Sequence, residues 1–197
     1  MPLYSPSARA LQDRFDSRRL ADRLEEVKVH DAITVDDRAL IEQLDMCFMA
    51  TVNADGQPTC SYKGGAPGFV TVVDERTLAM PHYDGNGMYL SMGNVEATQH
   101  VGLLFIDFAT RRRLRVEGGA ELRYADGLLG RYPGAQFMLY VHVARVFPNC
   151  GRYIHHMQRL EQSEFIPDAH GEAPVPGWKR TDWARDVLPA NDPAGET

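Results

Sequence analysis

The sequence predicts a mainly β fold with flanking helices (α+β), an antiparallel barrel or sandwich within a single domain, residues 1–197. Three observations carry this. Short apolar runs divided by turn residues fill residues 46–148. Helical spacing is confined to residues 1–45, a short stretch inside the β region, and part of residues 149–197. There is no internal repeat and no compositional break of the kind that separates two domains.

The first element spans about Ser7 to Glu26, a charged stretch without Gly or Pro in which Leu11 and Phe15, and Leu20 and Leu24, stand four apart as on helix faces. One N-terminal helix is expected there. A second begins at Thr34, whose hydroxyl can cap it with Asp37 three residues on, and Leu40, Ile41 and Leu44 form its apolar stripe up to about Asp45. From Cys47 to Val52 the pattern becomes that of a strand, and Asn53-Ala54-Asp55-Gly56 supplies a hairpin turn. Further strands are expected over Thr59–Lys63, Phe69–Val73, Thr77–Met80, Val101–Phe108, Arg113–Arg123 and Phe137–Phe147, seven in all. Between the fourth and fifth, Gly87 to Gln99 breaks the pattern, and Met88, Leu90, Met92 and Val95 suit a short helix packed on one mouth of the barrel. Tyr153 to Glu164 reads as a C-terminal helix. The tail from Pro167, with Pro174, Pro176, Pro189 and Pro193, reads as extended or loosely ordered, with Trp178 and Trp183 docking part of it.

Composition narrows the function classes. With 21 basic against 27 acidic residues and a net charge of -6, the chain lacks the overall basic surface that neutralises a nucleic-acid backbone. No apolar run approaches the roughly 18–20 residues of a membrane span, and MPLYSPSARALQDRF has no secretory h-region, so a cytoplasmic location is expected. Cys47, Cys60 and Cys150 are widely spaced and odd in number, which fits reduced thiols rather than a zinc pair or disulfide framework.

Three segments hold residue types suited to a ligand. Ser61-Tyr62-Lys63-Gly64-Gly65-Ala66-Pro67-Gly68-Phe69 puts small and polar residues at a strand end, where glycines admit a close backbone or ligand and equally suit a plain bulge. Tyr83-Asp84-Gly85-Asn86-Gly87 precedes the short helix, where free N–H groups and the helix dipole favour a phosphate; a simple turn has the same composition. In Arg111 to Glu117, strand alternation puts Arg113, Arg115 and Glu117 on one face and Leu114 and Val116 on the other, giving either a phosphate clamp or a solvated face.

Taken together, FMATVNADGQPTCSYKGGAPGFVTV, LAMPHYDGNGMYLSMGN and VGLLFIDFATRRRLRVEGGAEL resemble the pyridoxamine 5'-phosphate oxidase-like split barrels over about Phe48 to Leu122. The resemblance implies a homodimer of antiparallel six-stranded split β-barrels with FMN in two clefts at the dimer interface. By position it implies that Ser61, Tyr62 and Lys63 line the flavin, that Asn86 falls at a phosphate or ribityl position, and that Arg113 contacts FMN, with Arg115 and Asn94 as further candidates. It also shows departures. The vitamin oxidase has an arginine and, five residues later, a lysine where this chain has Ser61 and Ala66; its Ser-Arg-Lys triplet is Gly85-Asn86-Gly87 here, and no Arg-x-His pair follows residue 160. The substrate is therefore expected to be a small molecule other than pyridoxamine phosphate.

An FMN-dependent oxidoreductase, in which flavin N5 exchanges a hydride, is the function expected first. A non-catalytic flavin- or haem-binding module is the alternative, a flavin-free dimeric interaction protein a third reading, and a deazaflavin could replace FMN on the same barrel. Among the remaining residues, His155 and His156 point about 100° apart if helical and suit a surface or dimer contact better than one metal. His142 reads as an outward or hydrogen-bonded strand residue, Cys150 as a packed neutral thiol, and Trp178 as either a flavin neighbour or an anchor for the tail.

Overall fold

The computed structural model describes residues 2–195. Two helices replace the single N-terminal helix expected: α1 (Pro6–Arg14), capped by the Ser5 hydroxyl, and α2 (Arg18–Lys28). Asp16 adopts a left-handed backbone with φ 49°, which ends one helix and turns the chain into the next. An Arg18–Asp13 ion pair and an Arg9–Asp22 contact of 2.5 Å fasten the pair together. Helix α3 (Val35–Gln43) starts at Thr34 as expected, with a complete capping box to Asp37, and the buried Leu40 and Ile41 carry its apolar face into the core. The Asp37 carboxylate also meets His30 Nε2 at 2.8 Å, and His30 bridges to Val146, so the segment before α3 is tied to the sheet.

The β region forms one antiparallel sheet of seven strands: β1 (Met46–Val52), β2 (Pro58–Gly64), β3 (Thr71–Asp74), β4 (Thr77–Tyr83), β5 (His100–Asp107), β6 (Arg112–Arg123) and β7 (Ala135–Pro148). The spatial order is β2-β1-β5-β6-β7-β4-β3, one strand more than the six implied by the family resemblance, with β2 and β3 at the two ends. The β1–β2 turn closes as its residues dictate: Asn53 Oδ1 accepts from the N–H groups of Asp55 and Gln57, and Gly56 takes φ 82°. Alternation in β6 is as read from the sequence, with Leu114 and Val116 buried beneath Arg113 and Arg115. The long β6 and β7 shift register between Glu117 and Gly118, and a Cβ at Gly118 would collide with the His142 carbonyl, so the bulge requires glycine.

Helix α4 (Leu90–Thr98) lies over one end of the sheet and buries Met92 and Val95 in the main core. That core joins α3 to the inner face of the strands and contains no residue after Val146. No α-helix forms over residues 153–164, which corrects the C-terminal helix expected within residues 149–197. Its apolar residues form no continuous packed face: Tyr153 is 87% and Leu160 96% exposed. A short helix without a packed face is marginal in water. Among the described residues the segment after β7 holds only short 3-10 turns at Gly177–Arg180 and Pro193–Gly195. No described helix is long and apolar enough to cross a membrane.

Candidate functional site

Strand β2 pairs with β1 along one edge only, and its other edge turns toward the end of β4 and the start of α4. Between them lies a cleft of about 450 Å³ that includes Ser61 and Lys63 of β2, His82 of β4, the loop from Asp84 to Met88, and Ser91 of α4. This volume falls within the range usual for cofactor sites, roughly 300–1,000 Å³.

Alternation along β2 points Thr59, Ser61 and Lys63 to the side that meets α4. The Ser61 and Ser91 hydroxyls lie 3.0 Å apart. One turn further along α4, Asn94 is buried and donates its amide to Thr51 and Thr59 at 3.0 and 3.3 Å, while Thr98 donates to the Val52 carbonyl. Asn94 thus moors α4 to β1 and β2 beneath the cleft and is not part of its lining.

Lys63 is half-buried, and its ammonium forms no ion pair or hydrogen bond with any described residue. Burial pushes its pKa down. Its cross-strand partner is Cys47, whose buried thiol is pushed up to about 12 and is inert as a nucleophile at neutral pH. His82 stacks on Phe137 at 4.5 Å between ring centres, with the Tyr89 ring at 5.6 Å on its other flank. Burial, reinforced by the nearby Lys63 charge, pushes His82 down to about 4, so the imidazole is neutral at physiological pH. Neither ring nitrogen is hydrogen-bonded to a described residue, which leaves one donor and one acceptor at the cleft.

Tyr62 occupies the opposite face of β2, exposed and edge-on to Phe48 at 6.1 Å. It borders both the cleft and a larger groove of about 1010 Å³ beneath residues 157–166. The Asn86 Oδ1 accepts from the Met88 N–H at 3.0 Å, so this side chain shapes its own loop. Tyr89, at φ 49°, then opens α4 without a capping side chain and leaves first-turn N–H groups uncapped.

Arg113 and Arg115 are absent from this cleft. Arg115 lines a separate groove with Phe48, Ala50, Cys60 and Leu104 on the outer face of the sheet. The structure therefore brings Ser61, Tyr62, Lys63 and Asn86 together, and keeps Asn94, Arg113 and Arg115 out of the same lining. His82 and Ser91 are the residues that sequence reading missed. The fourth strand was expected to stop at Met80, before Pro81, but it continues to Tyr83 and so carries His82 opposite Phe137.

Elsewhere, His142 is exposed and faces Glu121 at 3.4 Å, while Trp178 stacks on Trp183 within the tail. Cys150 is exposed, not packed as expected, and a backbone hydrogen bond from Arg152 lowers its pKa. His155 and His156 lie in the irregular segment after β7, and no group of three or more His, Cys, Asp or Glu is placed for a metal among the described residues.

Comparison with known proteins gives one family match. Residues 33–146, more than half of the chain, match the pyridoxamine 5'-phosphate oxidase family. Among solved structures, a presumed pyridoxamine 5'-phosphate oxidase of Lactobacillus delbrueckii is 22% identical, with TM-score 0.51, covering 61% of this chain and 99% of its own. HupZ of Group A Streptococcus is 23% identical, with TM-score 0.48, covering 59% and 93%. An FMN-binding protein of Syntrophomonas wolfei is 14% identical, with TM-score 0.45, covering 71% and 97%. At 22% identity the likeness to the Lactobacillus delbrueckii structure shows fold alone. No curated protein sequence matches.

Proposed function

The chain belongs to the pyridoxamine 5'-phosphate oxidase-like FMN-binding split-barrel family, and on that premise we propose that its β2–β4 cleft holds FMN and that the protein is an FMN-dependent oxidoreductase acting on a small molecule. The observation that carries this reading is Lys63. A half-buried ammonium with no carboxylate partner among the described residues is placed to pair with an anion that enters the cleft. A phosphate does so, and the Ser61 and Ser91 hydroxyls beside it can donate to further phosphate oxygens.

When bound, FMN supplies hydride transfer. The residues of the cleft then bind, orient and exclude water. His82 lines the cleft with its ring held by stacking on the buried Phe137, so a fixed aromatic group borders the site where a ring system would bind. The neutral His82 can accept a hydrogen bond at one ring nitrogen and donate one from the other, which suits it to orient the polar edge of a ligand; with its pKa pushed down to about 4 it is a weak base at neutral pH. Tyr62 stands at the rim, where it can close over one edge of a bound ligand.

The working form in this reading is a homodimer. Tyr153 and Leu160 stand exposed after β7, and Arg115 is exposed in a groove on the outer face of the sheet. In this reading a second copy covers these apolar side chains and brings Arg113 and Arg115 to a ligand they do not reach in their own cleft. Light scattering should then give twice 22.1 kDa.

The direct test is the visible spectrum of the purified protein, followed by identification of whatever denaturation releases. Two flavin bands and released FMN are expected. A haem Soret band, or a colourless protein that does not take up added FMN, overturns the reading.

A further inference from the structure

The chain after β7 reaches residue 195 with only 3-10 turns, yet it encloses one of the least exposed charges in the molecule. Lys179 is 4% exposed, and its Nζ donates to Asp84 and to Asp192, each at 2.6 Å. Ordering an irregular tail costs roughly 1–2 kcal/mol per residue in backbone entropy, so a tail that stays docked needs specific contacts. This ion triad is its polar contact, and the buried Ala184, with Trp178 stacked on the more exposed Trp183, supplies apolar contact beside the same loop.

The tail binds the loop that walls the cleft. Asp84 directly follows β4 and begins the Asp84–Met88 loop, which borders the cleft on one side and the tail on the other. Two glycines, one at φ 74°, leave this loop little stiffness of its own, and the Asn86–Met88 hydrogen bond is local. The Asp84 carboxylate also lies at the edge of the cleft, where it would repel an anionic ligand if left unpaired.

We propose that Lys179 is a positioning residue: by pairing with Asp84 it fixes the Asp84–Met88 loop against the tail and offsets part of the charge of the one carboxylate that, among the described residues, lines the anion-binding cleft. Its consequence for FMN rests on the function proposed above; its consequence for the loop does not.

The test compares the full-length protein with Lys179→Met and Asp84→Asn by hydrogen exchange over residues 84–88 and by titration with FMN. The β core ends at Val146, so Lys179→Met should keep the wild-type far-ultraviolet circular dichroism. In Lys179→Met the loop should exchange faster, and FMN affinity should fall by about tenfold or more, the scale of a lost charge-assisted hydrogen bond. In Asp84→Asn the loop should also loosen, but the affinity should fall less, because the repelling carboxylate is gone. Unchanged loop exchange in Lys179→Met overturns the proposal, as does a loosened loop with unchanged FMN affinity. If the wild type takes up no FMN, the function proposed above fails, while the exchange measurement still decides whether Lys179 positions the loop.

Discussion

The hydroxyl of Ser61 on β2 lies 3.0 Å from that of Ser91 in the first turn of α4, and this contact joins the edge of the sheet to the helix that covers it. Both groups are also placed at the cleft beside Lys63. Replacing Ser91 by Ala removes one neutral hydrogen bond from the fold, at a cost of about 1 kcal/mol. It should weaken FMN binding by about threefold to tenfold. Equilibrium titration beside a urea melt separates the two effects, and a loss of stability without loss of affinity would make the serine pair purely structural.

Lys63 makes the affinity depend on pH. Burial lowers its pKa in the free protein, and a bound phosphate would raise it again by favouring the charged form. Binding therefore takes up a proton when the pH lies between the two values, and affinity should fall as pH rises through the depressed pKa of the free protein. Titrations on the alkaline side of neutrality should show this slope in the wild type. In Lys63→Met the slope should vanish and the affinity should drop by about tenfold or more.

Much of this arrangement was legible in the sequence, for reasons local to it. The Thr34–Asp37 capping box, the Asn53–Gly56 turn and the alternation of Leu114 and Val116 with Arg113 and Arg115 are set within a few residues, and each appears as read. The segment from Tyr153 to Glu164 has helical spacing, but Tyr153 and Leu160 stay exposed and no continuous apolar face packs, which spacing cannot report. Lys179 and Asp84 are 95 residues apart, and no local pattern announces their pairing. The Arg113 and Arg115 face was predicted correctly, but which groove that face borders depends on the strand order β2-β1-β5-β6.

His82 couples stability to acid. Its pKa falls from 6.5 to about 4 on folding because burial disfavours the imidazolium. Between those values the unfolded chain holds more protons than the fold. The stability His82 contributes is thus fully present above pH 6.5 and is lost as the pH falls through about 4. In His82→Phe, whose ring can still stack on Phe137, the melting temperature should change less between pH 6.5 and about 4 than in the wild type. Equal slopes in the two proteins would place the acid sensitivity elsewhere.

Two glycines should respond to alanine with opposite signs. Gly118 sits at the β6–β7 bulge, and an added Cβ would meet the His142 carbonyl, a backbone atom that cannot swing aside. Gly118→Ala must displace the strand and should cost about 1–3 kcal/mol, in the range of overpacked cores. Gly93 lies on the exposed side of α4, where an added Cβ meets nothing within 4 Å. There alanine removes backbone freedom from the unfolded chain and should add about 0.5–1 kcal/mol. Urea midpoints should move down for Gly118→Ala and up for Gly93→Ala at unchanged m. A rise for Gly93→Ala without loss of FMN would mean that α4 serves the cleft through Ser91 and its mooring residues, Asn94 and Thr98, with no call on the flexibility of Gly93.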